Sequence, residues 1–413
     1  MTRRIGLVRK KFLTRDKLIE IIDELTSQSR QNKWSPFIRK QWLEFVDKIE
    51  DNFERIFVEL RNMTWKPKPF IIFPRKEKGK ERVMYASLPE ELIVDTLFTE
   101  CLKYVFFVCK KIIPENSYGS IKGKGQHDLR KTIIDKVHNR TDVFVGCYDT
   151  KKYYPTIDHG VAMDIFRKHI KDHWLLWLCE VIIKRMGEIG TALGAPSSNP
   201  LGHIYHSVID WIMILKLRVR RYYRFCDDKW TIHRDKNYLH HISRALVRET
   251  QNVLHQKIKP NWRVVYCKEE RFECLGAMIN SHGARLCSAS RRVIERHIRS
   301  RIKSNDPMKA LKTWSGVRGG MKNLNVSNLI RYWHEVYPQF FNLILWGKRI
   351  LWLERHRKRW HKRLQHILTI ARDCRSEMNK KLYPLGVRTR TLKLNLSAMT
   401  ITPNMRLEKR III

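Results

Sequence analysis

An α+β fold is the class this sequence predicts, with helices first, a mixed middle and a basic helical end. Three observations predict it. Apolar residues recur at helical spacing across Leu13–Glu59. Short β-rich runs bounded by turn residues fill the middle. From about Ser288 a helical period returns, carrying Lys and Arg throughout. At 413 residues the chain exceeds the size at which one core keeps growing, so several subdomains are expected. The boundaries fall at 1–64, an N-terminal helical region; 65–287, the mixed region; and 288–413, a basic helical region.

Each element has its own signal. Leu18-Ile21-Ile22-Leu25 and Phe45-Ile49-Phe53-Ile56-Phe57 mark helical faces, and Trp65-Lys66-Pro67-Lys68-Pro69 breaks the pattern. Phe70–Phe73, a charged loop Arg75–Glu81 containing Gly79, and a strand from Arg82 form a basic hairpin. Leu92–Ile113 reads as helix, interrupted before Pro114. Val143–Asp149 is a short apolar strand ending on a carboxylate, and Asp158 stands where an N-cap starts a helix Val161–Ile170. The Gly/Ser/Pro-rich run Gly187–Gly202 gives way to a helix His203–Leu217. Arg221–Phe225 and Lys229–Ile232 flank Asp227-Asp228 as two strands with a tight acidic turn. A helix containing Leu239, Ile242 and Leu246 follows, then strands around Val264–Tyr266 and Cys274–Gly276. Arg291–Lys381 is basic, helical in period and studded with Trp314, Trp333, Trp346, Trp352 and Trp360, which read as helix-packing core.

The charge balance narrows the function classes. Lys+Arg 82 against Asp+Glu 41 gives a formal net charge of +41, spread along the chain. That much like charge repels itself and calls for a polyanionic partner such as nucleic acid. A ribosomal-type structural protein has the same composition. The nine cysteines include no C-x-x-C pair and no zinc-ligand ladder, so they read as reduced thiols. The charged Met1–Lys11 does not read as a signal peptide, so none is expected, and no apolar run reaches the roughly 18–20 residues of a membrane span. A cytoplasmic protein without membrane contact is expected.

The acids stand out where they cluster in apolar strands. Asp149 ends one strand; Asp227 and Asp228 form a turn about eighty residues later. Burying an aspartate costs several kcal/mol unless it is paired or bound to a cation. Side chains alternate along a strand, so one of the pair would meet Asp149 across the sheet and the other would sit at the rim. Carboxylates converging from adjacent strands suit Mg²⁺, and two such ions about 3.5–4 Å apart can activate a hydroxyl and stabilise a leaving pyrophosphate. A lone Asp-Asp in a hairpin is most often an ordinary turn.

The ordered set around it resembles the reverse transcriptase family. Asp149-Thr150-Lys151-Lys152-Tyr153-Tyr154-Pro155-Thr156-Ile157-Asp158-His159 is similar to the family's first catalytic motif, and Phe225-Cys226-Asp227-Asp228 to its second. Gly194-Ala195-Pro196-Ser197-Ser198-Asn199-Pro200-Leu201-Gly202 resembles the loop-to-helix element that lines the nucleotide pocket. Tyr118-Gly119-Ser120-Ile121-Lys122-Gly123-Lys124-Gly125 resembles a loop of bacterial members, and Cys274-Leu275-Gly276 the primer grip. The resemblance covers roughly residues 65–290. It departs from the family in Phe225, where Tyr is commoner, and in Ser197-Ser198, where many relatives carry Gln-Gly.

The resemblance implies a right-hand polymerase: fingers, a ferredoxin-like antiparallel palm, and a helical basic thumb with a C-terminal extension. It implies an RNA-directed DNA polymerase adding dNTPs to a primer 3′-hydroxyl with two Mg²⁺ ions, Mn²⁺ being a substitute. Asp149 and Asp227 would bind the metals, with Asp228 in support and the Thr150 carbonyl a further ligand. Tyr154 would select dNTP over NTP by bulk. Arg82, with Arg75 or Lys76, would hold the triphosphate; Pro196 and Ser197 would line the pocket; Leu275 and Gly276 would grip the primer. A basic residue among Lys257–Lys268 would protonate the pyrophosphate, the sequence leaving open which. The expected partners are an RNA template, the DNA product and dNTPs, and, as in diversity-generating or antiviral defence-associated members, a structured non-coding RNA and a small accessory protein. The sequence leaves those two lineages open. The alternatives are a non-catalytic RNA-binding scaffold, and an RNA-directed RNA polymerase, which Tyr154 disfavours.

Overall fold

The computed structural model describes residues 4–31, 35–77 and 80–382. The chain divides into two compact units, Met1–Ser300 with Thr313–Pro338, and Arg301–Lys312 with Gln339–Ile413.

The first unit opens on helices Val8–Phe12, Arg15–Leu25, Pro36–Val46 and Ile49–Asn62. Thr14 and Ser35 cap two of them, their hydroxyls accepting from the amides of Lys17 and Ile38. Leu18, Ile21 and Leu25 are buried as the helical period requires. The second apolar series is split between two helices, because the chain leaves helical geometry at Lys48. Trp65, in the expected break, is buried, and its indole donates to Glu90, which also accepts from Arg55 at 2.6 Å. These bonds tie the N-terminal helices to the buried helix Pro89–Leu102.

Between them lies the hairpin β1 (Ile71–Glu77) and β2 (Lys80–Ala86). The expected charged loop Arg75–Glu81 is strand for most of its length: pairing runs to Glu77 opposite Lys80. Backbone hydrogen bonds of the ladder override the loop-like composition. The expected helix Leu92–Ile113 starts earlier, at Pro89, and turns into a π-helix over Lys103–Cys109.

The central sheet has the order β3-β5-β6-β4-β7, with β3 (Ser117–Tyr118), β4 (Phe144–Asp149), β5 (Tyr222–Phe225), β6 (Asp228–His233) and β7 (Arg263–Tyr266). Every pairing is antiparallel except β3 with β5. One core joins the N-terminal helices to helices His159–His169, His173–Lys184, Ser198–Trp211 and Lys236–Leu254. A second core, containing Val143, Val145, Trp230 and Ile232, reaches helix Gln126–Val137 and the small sheet β8 (Phe272–Cys274), β9 (Ala277–Asn280) and β10 (Gly283–Leu286). Asp158 caps His159–His169 from the position the sequence assigned. Helix Ser198–Trp211 begins five residues before the expected His203, inside the Gly/Ser/Pro-rich run. Cys274 ends β8, but Leu275 and Gly276, expected as strand, form a two-residue turn with φ of 49° and 79°.

Trp314 and Trp333 meet edge to face in the first unit, with Trp333 fully buried. In the second unit, Gly347 of helix Pro338–Leu382 lies so close to Pro307 that a Cβ would come within 2.5 Å of its carbonyl oxygen. The packing expectation fails for Trp346, Trp352 and Trp360, which are 56%, 57% and 69% exposed. Among the described residues, no helix is long and apolar enough to cross a membrane.

Candidate active site

β4 and β6 pair in a register that places Asp149 directly opposite Asp228. Residues opposite each other in an antiparallel pair point to the same face, so it is Asp228 that shares a face with Asp149. Asp227 lies in the two-residue turn before β6, where its carbonyl accepts from the Thr150 amide at 3.1 Å. Burial, then the charge of Asp149, pushes the Asp227 carboxyl up. Burial, then Asp227 and Asp149, pushes that of Asp228 up to about 7. One oxygen of Asp149 is buried without a hydrogen-bond partner. Three carboxyls brought together by two adjoining strands thus stress one another electrostatically.

The turn is held from below by a buried polar network that the sequence reading missed. Arg224 and Asp210, both fully buried, pair through Nε at 2.8 Å and Nη2 at 2.7 Å. Tyr222 and Ser117 donate to the remaining positions of the Asp210 carboxylate, each at 2.8 Å. Burial works to raise the Asp210 carboxyl, and the Arg224 guanidinium more than offsets it, leaving the group below its ordinary value. Burial, then Arg224, lowers the neighbouring His203 to about 3, so this ring is neutral; it bonds the Gly119 carbonyl. Lys229, also fully buried, bonds the Thr150 hydroxyl and the Asp227 carbonyl. The available signal was an Arg in an apolar strand two residues before the acidic turn.

Gly119 explains the loop that follows Tyr118. A Cβ there would come 2.9 Å from the Cys226 sulfur and 3.2 Å from the Phe225 ring, and its φ is +92°. Cys226 itself has φ +50°, a left-handed position in the turn. Strain of this kind persists only where the surroundings enforce it.

The first motif supplies two aromatics with different fates. Tyr153 is buried and stacks on His206 at 4.5 Å, while Tyr154 is half-buried and its hydroxyl donates to Asn199. Pro196 is half-buried, and Ser197 is buried with its amide donating to Asp95. The hairpin meets this loop: the Tyr85 amide donates to the Leu193 carbonyl, and Gly194 packs on the Tyr85 carbonyl. Arg75 and Arg82 are exposed and lie directly opposite each other. The Lys76 side chain lies outside the described residues.

Among Lys257–Lys268, the residue that reaches the acids is Lys259. Its amide donates to the Asp149 carbonyl at 2.8 Å, and its ammonium to the Asp149 carboxylate. Thr150 bridges to Ile258 alongside, with Thr150 buried. Leu275 and Gly276 turn between β8 and β9, and a Cβ at Gly276 would meet the Ser290 hydroxyl at 2.8 Å.

Among the described residues, no three His, Cys, Asp or Glu side chains form a ready metal-holding group. The donor chemistry nonetheless suits a hard divalent cation, since the Asp149 oxygen without a partner and the Asp227 and Asp228 carboxyls are all oxygen donors, with Lys259 on the other Asp149 oxygen.

No family model and no curated protein matches the chain. Among solved structures it is similar to telomerase from Candida albicans, solved in complex with the TWJ fragment of telomeric RNA. The TM-score is 0.42 at 10% identity, over 70% of this chain and 62% of that one. This chain therefore spans less than two thirds of that protein, and a likeness so remote carries neither fold nor function across.

Proposed function

We propose that the protein is an RNA-directed DNA polymerase whose chemistry is centred on Asp149, Asp227 and Asp228. The observation that carries this reading is the β4–β6 register, which faces Asp149 with Asp228 and sets Asp227 at the adjoining turn. On this reading β4, β5, β6 and β7 form the palm, the β1–β2 hairpin belongs to the fingers, and the basic helices from Ser288 form the thumb.

Asp149, Asp227 and Asp228, with the Thr150 carbonyl, would hold Mg²⁺ or Mn²⁺. Such ions, when bound, supply Lewis-acid activation of a primer hydroxyl and charge for a leaving pyrophosphate. The chain's own residues do the rest. Arg75 and Arg82 bind the triphosphate from one face of the hairpin. Pro196 and Ser197 line the pocket on the loop that β2 braces. Tyr154, held by Asn199, fills the space a ribose 2′-hydroxyl would need. Lys259, the basic residue in contact with Asp149, would move a proton at the phosphate end. Leu275 and Gly276 present a backbone turn to the primer. The net charge of +41 fits an RNA template and its DNA copy. A structured RNA and a small accessory protein would complete a defence or diversity-generating system.

One observation favours a second reading, an RNA-binding scaffold: the Lys259 ammonium already supplies Asp149 with a counter-charge. Incorporation of dNTPs by the purified protein with its co-purifying RNA, beside Asp227→Ala, separates the two. Mg²⁺-dependent synthesis that vanishes in the variant supports the polymerase. Wild type and variant equally inert, both retaining RNA and supplied with their genomic RNA and partner, would overturn it.

A further inference from the structure

Helix Ser198–Trp211 reaches the first-motif tyrosines at one end and the base of the acidic turn at the other. Asn199, in its first turn, accepts from Tyr154. A Cβ at Gly202 would come 2.7 Å from the Tyr153 ring. Asp210, in its last turn, holds Arg224 beneath the acidic turn. The first amides of a helix have no partner within it and carry partial positive charge. Yet no side chain of the helix's own N-cap residue, Ser197, bonds them. The Ser198 hydroxyl is engaged instead with Thr191 and the Ala192 carbonyl.

The missing cap comes from elsewhere in the chain. Asp95, only 3% exposed on helix Pro89–Leu102, accepts from the Ser197 amide at 3.3 Å through one carboxylate oxygen. Its other oxygen is buried and unpartnered, beside a water-sized space that Glu91, Arg185 and Thr191 also line. Glu91 and Arg185 likewise bring an unpartnered atom each. An apolar side chain would pack here at less cost, so a carboxylate kept at this point needs a reason beyond packing.

We propose that Asp95 is a positioning residue for nucleotide binding: it caps the Ser198–Trp211 helix in trans and so fixes the loop carrying Pro196 and Ser197. This rests on the polymerase reading, in which that loop lines the nucleotide pocket. Asp95 does not touch the nucleotide; it acts through Ser197.

Two variants and two measurements test it on the full chain with its RNA. Asp95→Ala removes the acceptor. Asp95→Asn keeps one, since its amide oxygen still accepts from Ser197. Losing one charge-assisted bond corresponds to about a tenfold effect. The Ala variant should therefore show a dNTP KM raised roughly tenfold with kcat within about twofold, and the Asn variant should restore KM. Hydrogen exchange across residues 190–201 should quicken in the Ala variant and not in the Asn variant. Unchanged exchange in the Ala variant overturns the cap. Quickened exchange with unchanged KM, in an enzyme that polymerises, overturns the link to nucleotide binding. If the wild type incorporates nothing, the polymerase reading falls and the nucleotide half of this proposal with it; exchange then still upholds or overturns the cap. Should the Ala variant not fold, Asp95→Ser, too short to reach the amide, replaces it in both assays.

Discussion

Asp95→Asn should stabilise the protein at neutral pH and leave it unchanged in acid. Burial raises the Asp95 carboxyl from 3.8 to about 6, against the opposing effect of the Ser197 bonds and the Arg185 charge. An acid with a raised folded pKa contributes stability that is complete below its unfolded value and lost as pH rises through the folded one. The window is therefore pH 3.8 to about 6, above which the penalty is constant. At about 1.4 kcal/mol per unit, ionised Asp95 costs the folded state on the order of 3 kcal/mol at pH 7. Asn, neutral throughout, avoids that cost and still accepts from Ser197. Since unfolding entropy grows by about 2 cal/mol/K per residue, the midpoint of this large unit should rise by roughly 4 °C. The groups facing Asp95 are Glu91 and Arg185, common to both proteins, so the comparison isolates Asp95. Thermal melts of both proteins from pH 4 to pH 8 supply the assay. A difference of the same size at pH 4 and pH 7, or an Asn variant less stable at pH 7, would refute the reasoning.

Three further outcomes follow from the site. Arg224→Ala leaves Asp210 buried and uncompensated, which should cost about 3–5 kcal/mol; urea unfolding reads it, and wild-type stability would contradict the pairing. Gly119→Ala places a Cβ 2.9 Å from the Cys226 sulfur at a φ of +92°, so a loss of about 1–3 kcal/mol is expected in the same assay, with slowed dNTP incorporation. Tyr154→Ala should raise ribonucleotide incorporation relative to dNTP incorporation, measured by competing the two; unchanged discrimination would remove Tyr154 from the pocket.

The sequence by itself determined the elements whose signals are local. Asp158 could be read as a helix cap because a cap needs only its own side chain and the next turn. The strand ending at Asp149 and an acidic hairpin about eighty residues on were legible from apolar runs and spacing, but the turn is Cys226-Asp227, and Asp228, expected in it, opens β6. The alternation of side chains foretold that one of the two acids would face Asp149, and pairing register decided that it is Asp228. Register depends on a partner strand far away in the chain, so no local pattern carries it. Packing likewise decided that Tyr153 is buried and Tyr154 half-exposed, and that Trp333 is core while Trp360 is not. For the same reason the partners of Asp95, Asp210 and Arg224 could not be read, and Lys259 could not be told from the other basic residues of Lys257–Lys268. Each is an ordinary charged residue until folding removes water and brings its partner, over a hundred positions away for Asp95 and Lys259, into contact.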